Sequence, residues 1–141
     1  MARCIAQRNG IMQKLALDTN SYTALGRGNE RLASLIANTN QIGLPITVLG
    51  EIHFGILNGS QKEQNISLLD HFLSSNRIEV LDIDNVTAKL YGEIATQLRR
   101  VGRSIQQNDI WIAALSKQYD YKLATNDAGF ENILGLEIVK F

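Results

Sequence analysis

The stretch KLALDTNSYTALG, residues 14–26, decides the fold class of this chain. Its first part, residues 14–17, is a short and mostly apolar run of the kind that forms a buried strand, and it ends at Asp18. A helical pattern follows over residues 21–37, with a break at Gly26-Arg27-Gly28. A strand that leads directly into helices is the unit from which parallel sheets are built.

Short apolar runs alternate with helical patterns along the rest of the chain. The predicted strands after the first cover residues 41–44, 78–81, 121–125 and 136–139. Helices are predicted between them, with Asn29 and Asp84 as N-caps, over residues 30–37, 45–57, 61–73, 85–101 and 108–119. This alternation predicts an α/β fold with a mostly parallel sheet of about five strands.

The length and composition predict one globular domain. A chain of 141 residues is long enough to bury a core, and 45% hydrophobic with 20% charged residues excludes a disordered chain. The domain is expected to cover residues 12–141, with residues 1–11 as a short N-terminal extension and Met12 as an alternative start. The lone Cys4 cannot form an internal disulfide, which favours the cytoplasm, and no apolar run approaches the roughly 20 residues that span a membrane.

Two aspartates follow the ends of predicted strands. Asp18 closes the first strand, and Asp127 lies two residues beyond Thr125 at the end of the fourth. Ligands of open α/β sheets bind outside the carboxyl ends of the strands, near the point where the strand order reverses. Both aspartates are therefore candidates for chemistry, and a turn or N-cap role is the alternative for each.

Two further acidic residues stand out from apolar surroundings. Glu51 lies within VLGEIHFGIL with no Lys or Arg within a helical turn, and Asp109 opens the apolar helix NDIWIAAL. An ionised carboxylate on an apolar face is costly unless it is paired or binds a cation. A metal ion accounts for both placements. The alternatives are an edge-of-core position for Glu51 and a favourable helix-dipole position for Asp109.

Four segments resemble, in order and rough spacing, the acidic motifs of PIN domains: LALDTN, PITVLGEIHFG, NDIWIAAL and LATNDAGF. Their acidic residues follow one another at intervals of 33, 58 and 18 residues. Within that family the chain is most similar to the VapC toxins of bacterial toxin–antitoxin pairs, including the closing ILGLEIV strand. The resemblance covers nearly the whole chain from about Leu15. It implies a PIN-like, three-layer α/β/α domain.

The resemblance also implies roles for individual residues. The expected catalytic residues and ligands of Mg²⁺ or Mn²⁺ are Asp18, Glu51, Asp109 and the more variable Asp127. Thr125 matches a Thr or Ser that orients a carboxylate or a bound water, and Asn20 matches a polar residue of the first motif. There are two departures: Gln107 stands where relatives usually have proline, and Gly129 stands where many have an acidic residue or histidine.

The implied function is that of a metal-dependent endoribonuclease acting as the toxin of a toxin–antitoxin pair. A hard cation such as Mg²⁺ or Mn²⁺, held by carboxylates, supplies a deprotonated water and positive charge beside the phosphate. The implied partners are RNA such as tRNA or rRNA, a cognate antitoxin and a second copy of the chain. The alternative is a PIN-like module that binds RNA or a protein partner with little or no cleavage.

Four arginines are candidate contacts for RNA phosphates. The formal net charge is zero, so attraction to nucleic acid has to come from local charge. Arg99, Arg100 and Arg103 cluster at the end of the long predicted helix, and Arg27 lies in the Gly-Arg-Gly turn. The alternative for each is a solvated surface cation, which for the cluster is also favoured by a helix C-terminus.

Overall fold

The computed structural model describes residues 12–141 of the chain. Its strands are β1 (Met12–Leu17), β2 (Thr39–Pro45), β3 (Ile78–Leu81), β4 (Lys122–Ala124) and β5 (Ile138–Val139). Its α-helices are α1 (Thr19–Gly26), α2 (Glu30–Ala37), α3 (Ile46–Leu57), α4 (Lys62–Ser74), α5 (Asn85–Arg100) and α6 (Gln107–Gln118). A 3₁₀ helix, Ala128–Asn132, follows β4 and was not predicted. The predicted N-terminal extension, residues 1–11, lies outside the described residues.

The five strands form one sheet in the order β3-β2-β1-β4-β5, and every pair of neighbours is parallel. The chain builds the sheet outward from β1 to β3 and then crosses back to add β4 on the other side of β1. Right-handed crossovers in opposite directions place helices on both faces of a sheet. The predicted three-layer α/β/α architecture is therefore confirmed, and its mostly parallel sheet is entirely parallel within residues 12–141.

The centre of the core is β1 together with α6. Leu15, Ala16 and Leu17 are completely buried, because β1 has neighbours on both edges and helices on both faces. Such a strand needs apolar residues in succession, which is why this run lacks the polar alternation of a half-exposed strand. Helix α6 buries Ile112, Ala113, Ala114, Leu115 and Ser116 in one run.

Local hydrogen bonds start two helices at the predicted caps, Asn29 and Asp84. The Asn29 side chain accepts a hydrogen bond from the backbone N–H of Leu32 at 2.9 Å at the start of α2. Asp84 caps α5 by accepting from the backbone of Val86 and Thr87, and the Thr87 hydroxyl accepts from the Asp84 backbone N–H in return. None of the helices in the described part of the chain is both long and apolar enough to cross a membrane.

Candidate active site

An acidic cleft of about 640 Å³ opens at the carboxyl ends of β1 and β4. These strands are neighbours at the point where the strand order reverses, which is where open α/β sheets bind ligands. All four predicted carboxylates line this cleft, and no Lys or Arg does. The complete lining is Asp18, Thr19, Asn20, Glu51, Ser104, Ile105, Gln106, Asp109, Ile112, Asp127 and Gly129.

Asp18 is both a helix cap and a wall of the cleft. Its side chain is 5% exposed, and its Oδ1 accepts a hydrogen bond from the backbone N–H of Ser21 at 2.7 Å, which caps α1. Its Oδ2 accepts a hydrogen bond from the hydroxyl of Thr125 at 2.5 Å. A capping role and a position in the cleft are therefore compatible for Asp18, because each oxygen of its carboxylate has a different donor.

Thr125 joins the ends of the two strands. Its side chain is buried, and its hydroxyl donates to Asp18 while accepting a hydrogen bond from the backbone N–H of Asp127 at 3.0 Å. The Asp127 Oδ1 then accepts from the backbone N–H of Gly129 at 2.9 Å and caps the 3₁₀ helix. A single buried hydroxyl thus sets the distance between the two strand-end aspartates.

Asn126 holds the same turn from its outer side. Its Nδ2 donates to the backbone oxygen of Phe141 at 2.8 Å, and the backbone N–H of Phe141 donates to its Oδ1 at 2.9 Å. This pair of bonds extends the ladder of β4 and β5 beyond its last backbone pair, Ala124 with Val139. The sequence analysis missed Asn126, because an asparagine in a turn shows no sign of a partner 15 residues away.

The premise that Glu51 lies on an apolar face is wrong. Glu51 is exposed, and its Oε2 accepts a hydrogen bond from the hydroxyl of Thr19. Helix α3 buries only the face formed by Val48, Ile52 and Ile56. The remaining apolar residues of this segment include Phe54 and Leu57, which are 72% and 58% exposed. Glu51 therefore reaches the cleft from the solvent side and needs no metal to offset burial.

Asp109 is the cleft residue whose carboxyl group has a raised pKa. It lies half-buried in the first turn of α6. Burial raises its pKa from 3.8 to about 6, with further contributions from the negative charges of Asp127, Asp18 and Glu51. The charge of this carboxylate is thus unfavourable in the metal-free cleft, as expected where several acidic groups share a site without a basic one.

The oxygen ligands of the cleft suit a hard divalent cation, but they do not form a preassembled cage. Among residues 12–141 no three carboxylate, thiolate or imidazole groups lie close enough together to enclose an ion. Three of the four carboxylates are instead held by protein donors, namely Asp18, Glu51 and Asp127. Mg²⁺ characteristically keeps several waters and binds through one or two carboxylates, so this donor set fits a hydrated ion.

The other predicted residues fall in different places. Asn20 is exposed and lines the acidic cleft, whereas Arg27 lines a neighbouring one. The cluster formed by Arg99, Arg100 and Arg103 is exposed, and none of its members lines the acidic cleft, although Arg103 directly precedes the lining residue Ser104. The predicted phosphate contacts of these arginines stay predictions.

The structure adds lining residues that the sequence analysis did not single out. Thr19 binds Glu51 and lines the cleft, and the signal for it was present, since a hydroxyl residue directly follows Asp18 in LALDTN. Ser104 and Gln106 also line the cleft from the loop before α6. That loop has no motif, so only the packing of α6 on the sheet brings it to the site.

The two departures from the family pattern have structural explanations. Gln107 is the first residue of α6, a position where proline is well tolerated because its missing N–H has no helical partner. Gly129 has little room for a side chain: an added Cβ would lie 3.2 Å from Asp127 Oδ1 and 3.3 Å from a methyl carbon of Ile105. Glycine here lets the 3₁₀ helix bring Asp127 close to the loop before α6.

A parallel α/β/α sandwich with acidic residues at the switch point of its sheet is shared by proteins of several functions, so the family is assigned by sequence similarity. The PIN domain pattern matches residues 15–135, so the chain belongs to the PIN-domain family. This assignment confirms the family predicted from the four acidic motifs.

Within this family the relatives are VapC ribonucleases. Ribonuclease VapC2 of Rickettsia felis is 38% identical over 66% of this chain and 68% of the relative. Ribonuclease VapC2 of Haemophilus influenzae is 30% identical over 89% and 96%. The tRNA(fMet)-specific endonuclease VapC of Salmonella typhimurium is 29% identical over 90% and 97%. The predicted enzyme class, a ribonuclease of the VapC type, is thereby confirmed, and such PIN nucleases generally depend on a divalent metal.

A solved structure supports the same assignment. VapBC2 of Rickettsia felis, bound to a DNA fragment from its promoter, superimposes with a TM-score of 0.81 at 30% identity, covering 92% of this chain and 99% of that one. The predicted fold is therefore found in a solved toxin–antitoxin complex.

Proposed function

We propose that this chain hydrolyses RNA phosphodiester bonds at the acidic cleft, where Asp18, Glu51, Asp109 and Asp127 hold Mg²⁺ or Mn²⁺ directly or through water molecules. One observation carries the proposal: four carboxylates from four separate parts of the chain line a single cleft that has no basic residue in its lining. The raised pKa of Asp109 supports it, because burial and, after it, the negative charges of Asp127, Asp18 and Glu51 raise this pKa, and those charges also attract a divalent cation.

The side chains at the cleft differ in how their hydrogen bonds restrict them, and this difference suggests separate roles. A bound divalent cation supplies positive charge beside the phosphate and acidifies a water molecule. The carboxylate of Asp18 would be presented to the cation in one orientation, because Ser21 and Thr125 each donate a hydrogen bond to a different oxygen of this carboxylate. Asn20 has no side-chain hydrogen bond among the described residues, so its amide is free to donate to a bound RNA at the mouth of the cleft.

The proposed substrate is a structured RNA such as tRNA or rRNA. The name of the Salmonella typhimurium relative supports tRNA, and the similarity to a VapBC complex supports an antitoxin as the protein partner that restrains the enzyme. We extend the proposal to a homodimer acting in the cytoplasm.

The test is cleavage of total cellular RNA by the purified chain with Mg²⁺, with Mn²⁺ or with EDTA. Asp18→Asn and Asp109→Asn are compared with Asp70→Asn, which removes an equal charge from the exposed side of α4. We expect discrete fragments that need the metal, disappear in both cleft variants and persist in Asp70→Asn. Cleavage retained in both cleft variants would refute the site, and RNA binding without metal-dependent cleavage would favour the binding-module alternative.

A further inference from the structure

A second cleft of about 470 Å³ adjoins the acidic one at the turn between α1 and α2. The two clefts share Asn20, which lines both. The remaining lining consists of Thr23, Ala24, Arg27, Gly28 and Asn29. Because one residue belongs to both linings, the two clefts are adjacent, and neighbouring nucleotides of one strand are able to reach both.

The turn that forms this second cleft is built by local geometry. Helix α1 ends at Gly26, and Gly28 has a φ of 85°, a left-handed conformation that glycine adopts without steric cost. Asn29 then starts α2 by capping it. Asn20 and Arg27 are separated by seven residues along α1 and its end, a distance of about 10 Å at the helical rise of about 1.5 Å per residue.

The second cleft presents hydrogen-bond donors that the described part of the chain leaves unused. The exposed Arg27 guanidinium makes no hydrogen bond there, and the ion pairs among residues 12–141 are Lys122–Glu137 and Lys140–Glu131. The Asn29 Oδ1 is occupied by the Leu32 N–H, which leaves the Nδ2 free. The amide of Asn20 is also free. One cation and two amide donors in a polar groove suit a phosphate attached to a sugar and a base.

We propose that the second cleft is a subsite for the nucleotide next to the cleaved bond in single-stranded RNA. Arg27 binds the phosphate of that nucleotide, and Asn20 and Asn29 donate hydrogen bonds to its sugar or base. The inference rests on the proposed function, since it makes the acidic cleft the position of the cleaved bond. Flanking phosphates are repelled by the four carboxylates, so a substrate needs a cation immediately outside them, and Arg27 is the cation in this lining.

The experiment measures binding of a short, random-sequence, fluorescent single-stranded RNA to the full chain in Mg²⁺ over a range of salt concentrations. An Asp18→Asn background prevents cleavage during the titration. In that background Arg27→Ala is compared with Arg31→Ala, a matched control because Arg31 is also exposed, lies on α2 and lines neither cleft. Arg27→Lys keeps the charge and loses the planar fork.

We expect Arg27→Ala to weaken RNA binding about fivefold. The slope of the logarithm of affinity against the logarithm of salt concentration should become shallower by about 0.7, the value for one single-strand phosphate. Arg31→Ala should leave both quantities unchanged, and Arg27→Lys should retain the slope. In the cleavage-competent chain, Arg27→Ala should raise KM more than it lowers kcat.

Equal behaviour of Arg27→Ala and Arg31→Ala would overturn the subsite even if the chain cleaves RNA. Arg27-dependent binding of an acidic peptide, with RNA binding unaffected, would overturn it as well and assign the cleft to a protein partner. Arg27-dependent RNA binding without any metal-dependent cleavage by the unsubstituted chain would support the subsite and refute the proposed hydrolysis. Failure of the subsite and failure of the function are therefore distinguishable.

Discussion

The two sides of the acidic cleft are held in different ways. On the strand side, Asp18, Thr125 and Asp127 form a chain of hydrogen bonds around a buried hydroxyl at the ends of β1 and β4. On the helix side, Glu51 is exposed with one hydroxyl donor, and Asp109 is half-buried with a raised pKa. The strand side is thus preorganised by the sheet, whereas on the helix side the negative charge of Asp109 is unfavourable unless a cation balances it.

The sharpest test of this difference replaces one carboxylate on each side with alanine. Asp18→Ala leaves the Ser21 N–H and the Thr125 hydroxyl without their partner, so the free energy of unfolding should fall by about 2–4 kcal/mol. Glu51→Ala removes an exposed side chain and should change it by less than about 0.5 kcal/mol. Both variants should lose cleavage. Chemical denaturation with circular dichroism measures the difference, and equal destabilisation would contradict it.

A milder test removes the hydroxyl donor on each side. Thr125→Val should cost about 1–3 kcal/mol of unfolding free energy, because the Asp18 carboxylate and the Asp127 N–H both lose a buried partner. Thr19→Val removes the donor to the exposed Glu51 and should cost less than about 1 kcal/mol. Metal-dependent cleavage provides a second measurement. Thr125→Ser keeps the hydroxyl, so the metal concentration that gives this variant half-maximal cleavage should stay near the value for the parent chain. A Thr125→Ser variant as impaired as Thr125→Val would show that the methyl group matters instead.

The pH dependence of stability tests the helix side alone. The pKa of Asp109 is about 6 in the folded chain and 3.8 ordinarily, so between these values the folded state binds more protons than the unfolded state. Without metal, the free energy of unfolding should therefore fall as the pH rises from about 4 to about 6. After allowance for solvent screening, the loss should be of the order of 1 kcal/mol.

The matching variant is Asp109→Asn, measured by denaturation in EDTA across this pH range. The asparagine cannot ionise. Above about pH 6 the free energy of unfolding of the variant should therefore exceed that of the parent chain by the amount that the parent loses. Saturating Mg²⁺ should reduce the difference by stabilising the parent. Parallel curves of unfolding free energy against pH for the parent and the variant in EDTA would show that ionisation of Asp109 does not destabilise the folded chain.

The smallest effect is expected from a substitution that stabilises the start of α6 on the helix side. Gln106 has a φ of −65° and a ψ of 148°, which is the extended conformation required before proline, and Gln107 is the first residue of α6. Gln107→Pro should therefore raise the free energy of unfolding by about 0.4–1 kcal/mol by restricting the unfolded chain. Thermal unfolding measures it, and a lower melting temperature would show that the N–H of Gln107 is needed.

Much of the strand side could be predicted from the sequence because its signals are local. An apolar run without polar alternation predicts a strand buried on both faces, and a carboxylate at its end predicts a group at the sheet edge. The caps Asn29 and Asp84 were predicted for the same reason, since a cap binds backbone groups within three residues of itself. Asp18 and Asp127 accordingly lie in the cleft where their strands end.

The environment of the helix side could not be predicted, because apolar composition does not tell which face of a helix is covered. VLGEIHFGIL was interpreted as a buried segment around Glu51, yet the packing of α3 buries one face and leaves Glu51 and Phe54 in solvent. The arginines show the same limit. Arg27 lines a cleft next to the site, while Arg99 and Arg100 do not, and their positions along the chain do not tell which of them packs beside the acidic residues.

The sequence by itself determined the succession of strands and helices along the chain and the helix caps Asn29 and Asp84, because each depends on neighbours along the chain. The four acidic residues were predicted partly from strand ends and partly from the resemblance to PIN domains, and the tertiary structure brings them to one cleft. Only the tertiary structure decided how these residues are supported. The Thr125 hydroxyl donates to Asp18, which lies 107 positions earlier in the chain, and Asn126 binds the backbone of Phe141. Such contacts arise from the register of packed strands, and a linear pattern of residues does not contain that register.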